Sequence, residues 1–239
     1  MTEVDQATRR AELATRLERL EERIAAACRA AGRDRAELTL VAVTKTFPAS
    51  DVGHLHALGV RDVGENRAAD AAAKADACEE AGLTDLVWHF VGQVQTNKAA
   101  VVAGCSDIVH SVDRLRLVSA LDRAAAAAGR RLGALVQVDL SGAEGRGGAS
   151  PADVPALAEA IAAADTLDLL GAMAVAPLGA DPDTAFARLA EVAESLRQNH
   201  PTATVLSAGM SDDLEAAIKH GATHLRVGTA LLGSRPLLG

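Results

Sequence analysis

The stretch Leu38-Thr-Leu-Val-Ala-Val-Thr-Lys45-Thr-Phe-Pro48 decides how this chain is read. It is an apolar, β-branched run stopped by a proline, which describes a strand buried on both faces with Lys45 at its carboxyl end. Lysine is scarce here. Only Lys45, Lys74, Lys98 and Lys219 occur, and arginine serves wherever a bare positive charge is wanted. A lysine at a strand end therefore needs a reason, because only lysine offers an amine that can lose its proton and form a Schiff base. The plainer reason is a side chain that snorkels from the strand to solvent.

Outward from that strand, short apolar runs alternate with helical segments. Strands are predicted at 39–43, 62–64, 86–91, 108–110, 134–140, 167–175, 204–207 and 224–227. Amphipathic or alanine-rich helices fall between them at 50–58, 65–81, 96–103, 113–129, 151–164, 182–199 and 211–220. The alternation gives a parallel sheet, and eight such units in this length fit a (β/α)8 TIM barrel. An open doubly wound sheet is the competitor, weakened because no Gly-x-Gly-x-x-Gly turn follows the first strand. Residues 5–31 form a helix before the barrel, with Leu13, Leu17, Leu20, Ile24 and Ala27 at three- and four-residue steps and Gly32 at its end. The expectation is one α/β domain over 1–239, with an extra N-terminal helix in 1–32 and the barrel in 38–235. The glycine-rich loop 141–150 falls where a βα loop belongs, and reads either as an active-site flap or as a plain surface loop.

Composition excludes several classes. Hydrophobic residues make up 49% of the 239 but aromatics only 2%, so the core is built of Ala, Leu and Val. A net charge of −8, without a basic cluster beside aromatics, argues against nucleic acid or an anionic membrane as partner. Cys28, Cys78 and Cys105 are odd in number and far apart, suggesting neither a disulfide framework nor a zinc site. The polar stretch Met1 to Arg10 lacks a signal-peptide core, and no apolar run reaches membrane-spanning length, so a soluble, cytoplasmic protein is expected. Tyrosine is absent. Chemistry that needs a phenol as acid or base cannot be run by this chain alone.

In a barrel, chemistry gathers at the carboxyl ends of the strands. Those ends carry Lys45, then Gly64-Glu65-Asn66-Arg67, then Ser207-Ala208-Gly209-Met210-Ser211, then Arg226-Val227-Gly228-Thr229. Loops after the last two strands often hold phosphate, since glycine admits an anion to the backbone and hydroxyls donate to it. Ordinary helix capping, with Ser211 as N-cap, is the alternative for each loop alone. By strand alternation Arg226 shares the side of Gly228, and an arginine turned into the mouth implies a specific partner. A Schiff-base lysine, a phosphate cradle and a charged group for a ring nitrogen are together satisfied by pyridoxal 5'-phosphate. Arginine can donate to the ring nitrogen but cannot accept a hydrogen bond from a pyridinium N–H, so the pyridine is expected to stay unprotonated. Asn66 is placed to reach the ring or the lysine. His89 reads as a satisfied core histidine, His54 and His56 as solvent-facing, and Lys98 as a surface charge.

Taken together, these stretches resemble the pyridoxal-phosphate homeostasis protein family, single-domain relatives of the alanine racemase barrel. The resemblance covers about 38–235 and rests on Ala42-Val-Thr-Lys-Thr-Phe-Pro48, Gly64-Glu-Asn66, Trp88-His-Phe-Val-Gly92, Gln95-Thr-Asn-Lys98, His110-Ser-Val-Asp-Arg114, Leu206-Ser-Ala-Gly-Met-Ser-Asp-Asp213 and Arg226-Val-Gly-Thr-Ala230. It implies that Lys45 carries the cofactor as a Schiff base, that the segments Gly209-Met210-Ser211 and Gly228-Thr229 hold its phosphate, and that Ser207 also belongs to the cofactor site. It also implies that Arg226 faces the ring nitrogen. Two departures stand out: Arg67 where the family usually has tyrosine, and Arg146-Gly147 where it usually has lysine before glycine. They bear on the rim of the site.

The implied function is to bind, buffer and deliver the cofactor, with pyridoxal-phosphate-dependent apoenzymes as partners, in a monomer without robust catalysis. A pyridoxal-phosphate amino-acid racemase is the second reading, poorly served by a chain without tyrosine. A Schiff-base aldolase acting on a phosphosugar is the third.

Overall fold

A computed structural model describes residues 3–142 and 147–234. In order, the elements are α1 (Glu3–Ala30), β1 (Thr39–Val43), α2 (Ala49–Ala57), β2 (Asp62–Glu65), α3 (Ala68–Glu80), β3 (Val87–Phe90), α4 (Ala99–Cys105), β4 (Ile108–Val112) and α5 (Leu115–Ala127). They continue with β5 (Leu132–Gln137), α6 (Val154–Ala162), β6 (Leu167–Met173), α7 (Pro182–Asn199), β7 (Val205–Ser207), α8 (Leu214–Lys219), β8 (His224–Val227) and α9 (Thr229–Leu232). Strands pair in chain order, all parallel, and β8 closes on β1 with Thr39 opposite His224 and Ala42 opposite Val227. The expected eight-stranded barrel is present.

Closure sorts each strand by alternation. In β1, Leu40 and Ala42 join the apolar layer beneath the helices. Val41 and Val43 point the other way, into the barrel, where a Cβ on Gly64 would lie 3.1 Å from Val41 and 3.4 Å from Val43. In β8, Leu225 and Val227 face the helices, which leaves His224 and Arg226 inside.

Several boundaries differ from the predicted ones. β5 begins at Leu132 rather than at 134, and ends at Gln137 because the next residue is drawn into a bridge between Val138 and Ala149. The second residue of this strand, Gly133, faces Leu170, whose Cδ1 would lie 2.4 Å from any Cβ there, so a larger residue would displace that side chain. β4 runs on to Val112 and β6 stops at Met173. Helix 96–103 divides into a 3-10 turn at Thr96–Lys98 and α4. The helix expected from 211 starts only at Leu214, because the Met210 amide donates to Asp213 Oδ1 at 2.6 Å and holds 210–213 as a turn.

α1 forms the added layer. Leu13, Leu20, Ile24 and Cys28 are buried, and the helix packs on α2, α8 and α9. Its Arg9 straddles the seam: the guanidinium donates from Nη2 and Nε to Asp51 (2.7 and 3.2 Å) and from Nη2 to the Leu232 carbonyl (3.0 Å), and stacks 5.6 Å from the Phe47 ring. Asp51 is only 2% exposed. Arg9→Ala leaves that carboxylate buried without its cation and is expected to cost about 2 kcal/mol. Thermal unfolding should then come roughly 4–8 °C earlier.

Candidate functional site

Lys45 sits two residues beyond β1, in a tight turn closed by the Phe47 amide donating to the Thr44 carbonyl (3.0 Å). Lys45 and Thr46 are its central pair. Thr46 has φ 71°, unlike any other non-glycine among the described residues. Positive φ at the third position of such a turn suits glycine, and a β-branched residue there is strained. The lysine is half-buried and in phase with Val41 and Val43, hence on the inward side. Thr46→Gly is expected to raise stability by about 0.5–1 kcal/mol in denaturant titrations, with relief of strain exceeding the added chain entropy.

The floor of this turn is a buried ion pair. Lys74, on α3, donates from Nζ to the Thr44 carbonyl (2.8 Å) and pairs with Glu65 Oε1, which also accepts from Thr44 Oγ1 (2.7 Å). Glu65 is 1% exposed and Lys74 8%; Glu65 Oε2 has no hydrogen-bond partner among the described residues. The pair therefore fixes the peptide unit that carries Lys45. Sequence reasoning passed over it. The available signal was Lys74 on the apolar stripe Ala71, Lys74, Cys78 of an otherwise polar helix.

Across the mouth, β7 and β8 deliver the other candidates. Arg226 is 5% exposed and held on two sides, Nη1 donating to Ser207 Oγ (2.6 Å) and Nη2 to the Ala174 carbonyl (2.9 Å). Burial pushes its guanidinium down to about 10, against a partial offset from Asp213. It stays charged at neutral pH. Its partners are a hydroxyl and a carbonyl rather than a carboxylate, so the positive charge is not neutralised locally.

Gly209 has φ 88°, and a Cβ there would strike Ala217 Cβ at 2.6 Å; the position admits only glycine. Met210 is 36% exposed. Ser211 does not cap α8, whose N-cap is Asp213. Its hydroxyl instead accepts from the Ala230 amide (3.1 Å), joining the loop after β7 to the first turn of α9, where Gly228 and Thr229 lie. Gly228 lies against β1, since its Cβ would be 3.3 Å from the Val43 carbonyl. Asn66 is half-buried and lines a cavity of about 530 Å³ with Arg67, Phe90, Gln93 and Lys98. Lys98 is exposed, as expected.

His89 is buried with both ring nitrogens partnered, as a satisfied core histidine requires. His54 and His56 differ from expectation: both are half-buried, bonded to Gln6 Oε1 (2.6 Å) and Asp85 Oδ1 (2.5 Å), because α2 lies between α1 and the Asp85 turn. No group of three or more His, Cys, Asp or Glu among the described residues is arranged to hold a metal ion. Part of the 141–150 loop, including Arg146, lies outside the described residues. Its described end folds back on β5, Gln137 Nε2 donating to the Gly147 carbonyl at 3.0 Å.

Burial pushes His224 from 6.5 down to about 4 and lowers His110 also, so both are neutral in the folded state. Above pH 6.5 the unfolded imidazole is neutral too, and stability is full. Below it the unfolded chain takes up protons that the folded chain refuses, and stability falls until about pH 4. Urea titrations should show a loss of roughly 2 kcal/mol from His224 at pH 5 relative to pH 7.5.

The chain matches the family model described as alanine racemase, N-terminal domain, over residues 15–236. It is 46% identical to the pyridoxal phosphate homeostasis protein of Mycobacterium tuberculosis, with 96% of this chain and 95% of that one covered. To the protein of the same name from Escherichia coli it is 37% identical, with 94% and 97% covered. The chain belongs to the pyridoxal phosphate homeostasis protein family. Among solved structures, PipY of Synechococcus elongatus, described as having PLP bound, superimposes with a TM-score of 0.80 at 35% identity. That match covers 92% of this chain and all of PipY. Family membership agrees with the barrel and with the motifs that carried the resemblance. Among the described residues, no helix is long and apolar enough to cross a membrane.

Proposed function

We propose that this chain binds pyridoxal 5'-phosphate at the mouth of its barrel, through Lys45, and serves in the homeostasis of that cofactor. The observation that carries the reading is the pairing of two features. One is a half-buried lysine amine on the inward phase of β1; the other is a buried, charged and rigidly held Arg226 on the neighbouring strand. The donor set fits the cofactor. Lys45 would take the aldehyde carbon, and the backbone and hydroxyls at Gly209, Met210, Ser211, Gly228 and Thr229 the phosphate, with the Gly209 backbone open because no side chain is tolerated there. Arg226 would donate to the ring nitrogen, Ser207 would act by holding Arg226, and Asn66 would border the ring from β2. When bound, the cofactor supplies an electrophilic carbon and a conjugated ring. A guanidinium at the ring nitrogen keeps that nitrogen unprotonated and the ring a weak electron sink, which favours retention over turnover.

In this reading the protein is a single-domain cytoplasmic monomer that buffers the cofactor and delivers it to apoenzymes, rather than an enzyme with its own substrate. The chain offers no tyrosine opposite Lys45, and two-base racemisation lacks its second base.

The test is a titration of purified protein with pyridoxal 5'-phosphate and, separately, with pyridoxal. The phosphorylated form is expected to give a visible absorbance band fixed by borohydride, with much weaker uptake of pyridoxal and no appreciable turnover of amino acids. Absence of a band would sink the proposal and turn attention to phosphosugar aldol cleavage. Steady racemisation of an amino acid would make the protein an enzyme instead.

A further inference from the structure

The interior of the barrel carries a continuous chain of polar side chains that cofactor attachment and phosphate binding do not use. Arg226 Nη1 donates to Ser207 Oγ (2.6 Å), and Ser207 Oγ lies 2.9 Å from His110 Nδ1. His110 Nε2 lies 2.8 Å from His89 Nδ1, and His89 Nε2 lies 2.9 Å from Asp62 Oδ1. Five strands contribute, and the route leads from the mouth to the first residue of β2, at the opposite end of the barrel. Ser207, His110 and His89 are at most 1% exposed, whereas the Asp62 side chain is 27% exposed.

With both imidazoles neutral, elementary bonding rules fix the direction of every hydrogen in this chain. Asp62 is a carboxylate, so the nitrogen facing it, His89 Nε2, carries a proton. A neutral His89 then accepts at Nδ1, so His110 must donate from Nε2. A neutral His110 in turn accepts at Nδ1, and the only hydrogen available there is that of the Ser207 hydroxyl. Ser207 is left with its lone pairs for Arg226. All four hydrogens thus point from the guanidinium toward the carboxylate. Such a series polarises itself, each donor sharpening the acceptor behind it.

We propose that Asp62, His89 and His110 are positioning residues for the cofactor site, which set Ser207 as a strengthened acceptor for Arg226 and so hold the guanidinium where the ring nitrogen binds. The inference rests on the cofactor reading above. Its distinguishing content is that a carboxylate at the far end of the barrel governs the state of the mouth. Remove that carboxylate and His89 loses the partner for its Nε2 proton. The proton order then reverses, with His89 donating from Nδ1, His110 donating from Nδ1 to Ser207, and the serine hydrogen displaced from the series.

Two measurements test this. In cofactor-free protein, nitrogen-15 NMR of the imidazoles at pH 7.5 is expected to show His89 and His110 both neutral and protonated at Nε2. A proton on Nδ1 of either ring would overturn the proposal without any variant. In the second, Asp62→Ala is expected to move the His110 proton to Nδ1 and to weaken pyridoxal 5'-phosphate binding about tenfold, the effect of losing one good hydrogen bond. Asp62→Asn keeps an acceptor oxygen for His89 and is expected to restore both readings. If the wild type takes up cofactor and Asp62→Ala matches it in affinity, the relay is refuted alone. A wild type that takes up no cofactor refutes the cofactor reading and the relay with it.

Discussion

Lys45→Ala is expected to abolish the visible absorbance that wild-type protein develops with pyridoxal 5'-phosphate, and with it all borohydride-fixed cofactor. The effect is all-or-none because the bond is covalent and no neighbouring amine can substitute. Lys74 is committed to Glu65 and to the Thr44 carbonyl, on the helix side of β1 rather than the barrel side. Lys98 is exposed on the far side of the rim cavity that Asn66 also lines. Weak, reversible binding through the phosphate loops should persist, so fluorescence or calorimetry would still detect association. Circular dichroism of the variant should match wild type, since among the described residues no hydrogen bond or ion pair of the Lys45 side chain holds β1. Loss of the barrel in this variant would reassign Lys45 to structure; retention of the band would place the covalent bond elsewhere.

The second large effect concerns stability. Lys74→Met removes the ammonium and leaves Glu65, 1% exposed, with a charge and one wholly unpartnered oxygen. Breaking a buried pair from one side costs about 3–5 kcal/mol. For a domain of this size that corresponds to a fall in melting temperature of roughly 6–20 °C. Adding Glu65→Gln should recover most of it, because the amide is neutral and its oxygen still accepts from Thr44 Oγ1. A double variant no better than the single one would show that Lys74 acts through its bond to the Thr44 carbonyl instead. Since that carbonyl begins the Lys45 turn, the single variant should also weaken cofactor uptake, linking the ion pair to the site through one peptide unit.

Much of the barrel was legible because its signal is periodic. β1 announced itself by an unbroken apolar run, and Lys45, Gly209 and Gly228 fell at strand ends that the alternation of strands and helices located. What escaped notice was interaction between distant positions. The Lys74–Glu65 pair joins α3 to β2 and carries no local mark beyond one lysine on an alanine face. For Ser211, N-capping stood as the alternative to phosphate binding because a serine before a helix usually caps it, yet its hydroxyl accepts from Ala230 in the first turn of α9. His89 was correctly read as satisfied. Its partners on β2 and β4 could not be named, because barrel stagger decides which inward residues share a level. The strain at Thr46 was invisible for a different reason: nothing in the pattern of types reveals a positive φ outside glycine.

The seam that Arg9 spans has a consequence for biosynthesis. α1 packs on α8 and α9, far along the chain, and Arg33, just past the end of α1, donates to the carbonyls of Ile218 and Ala222. Until α8 and α9 are made, α1 has only α2 of these helices to pack on, and β1 has no β8 to pair with. Non-local closure of this kind is slow and leaves apolar surface exposed in the meantime.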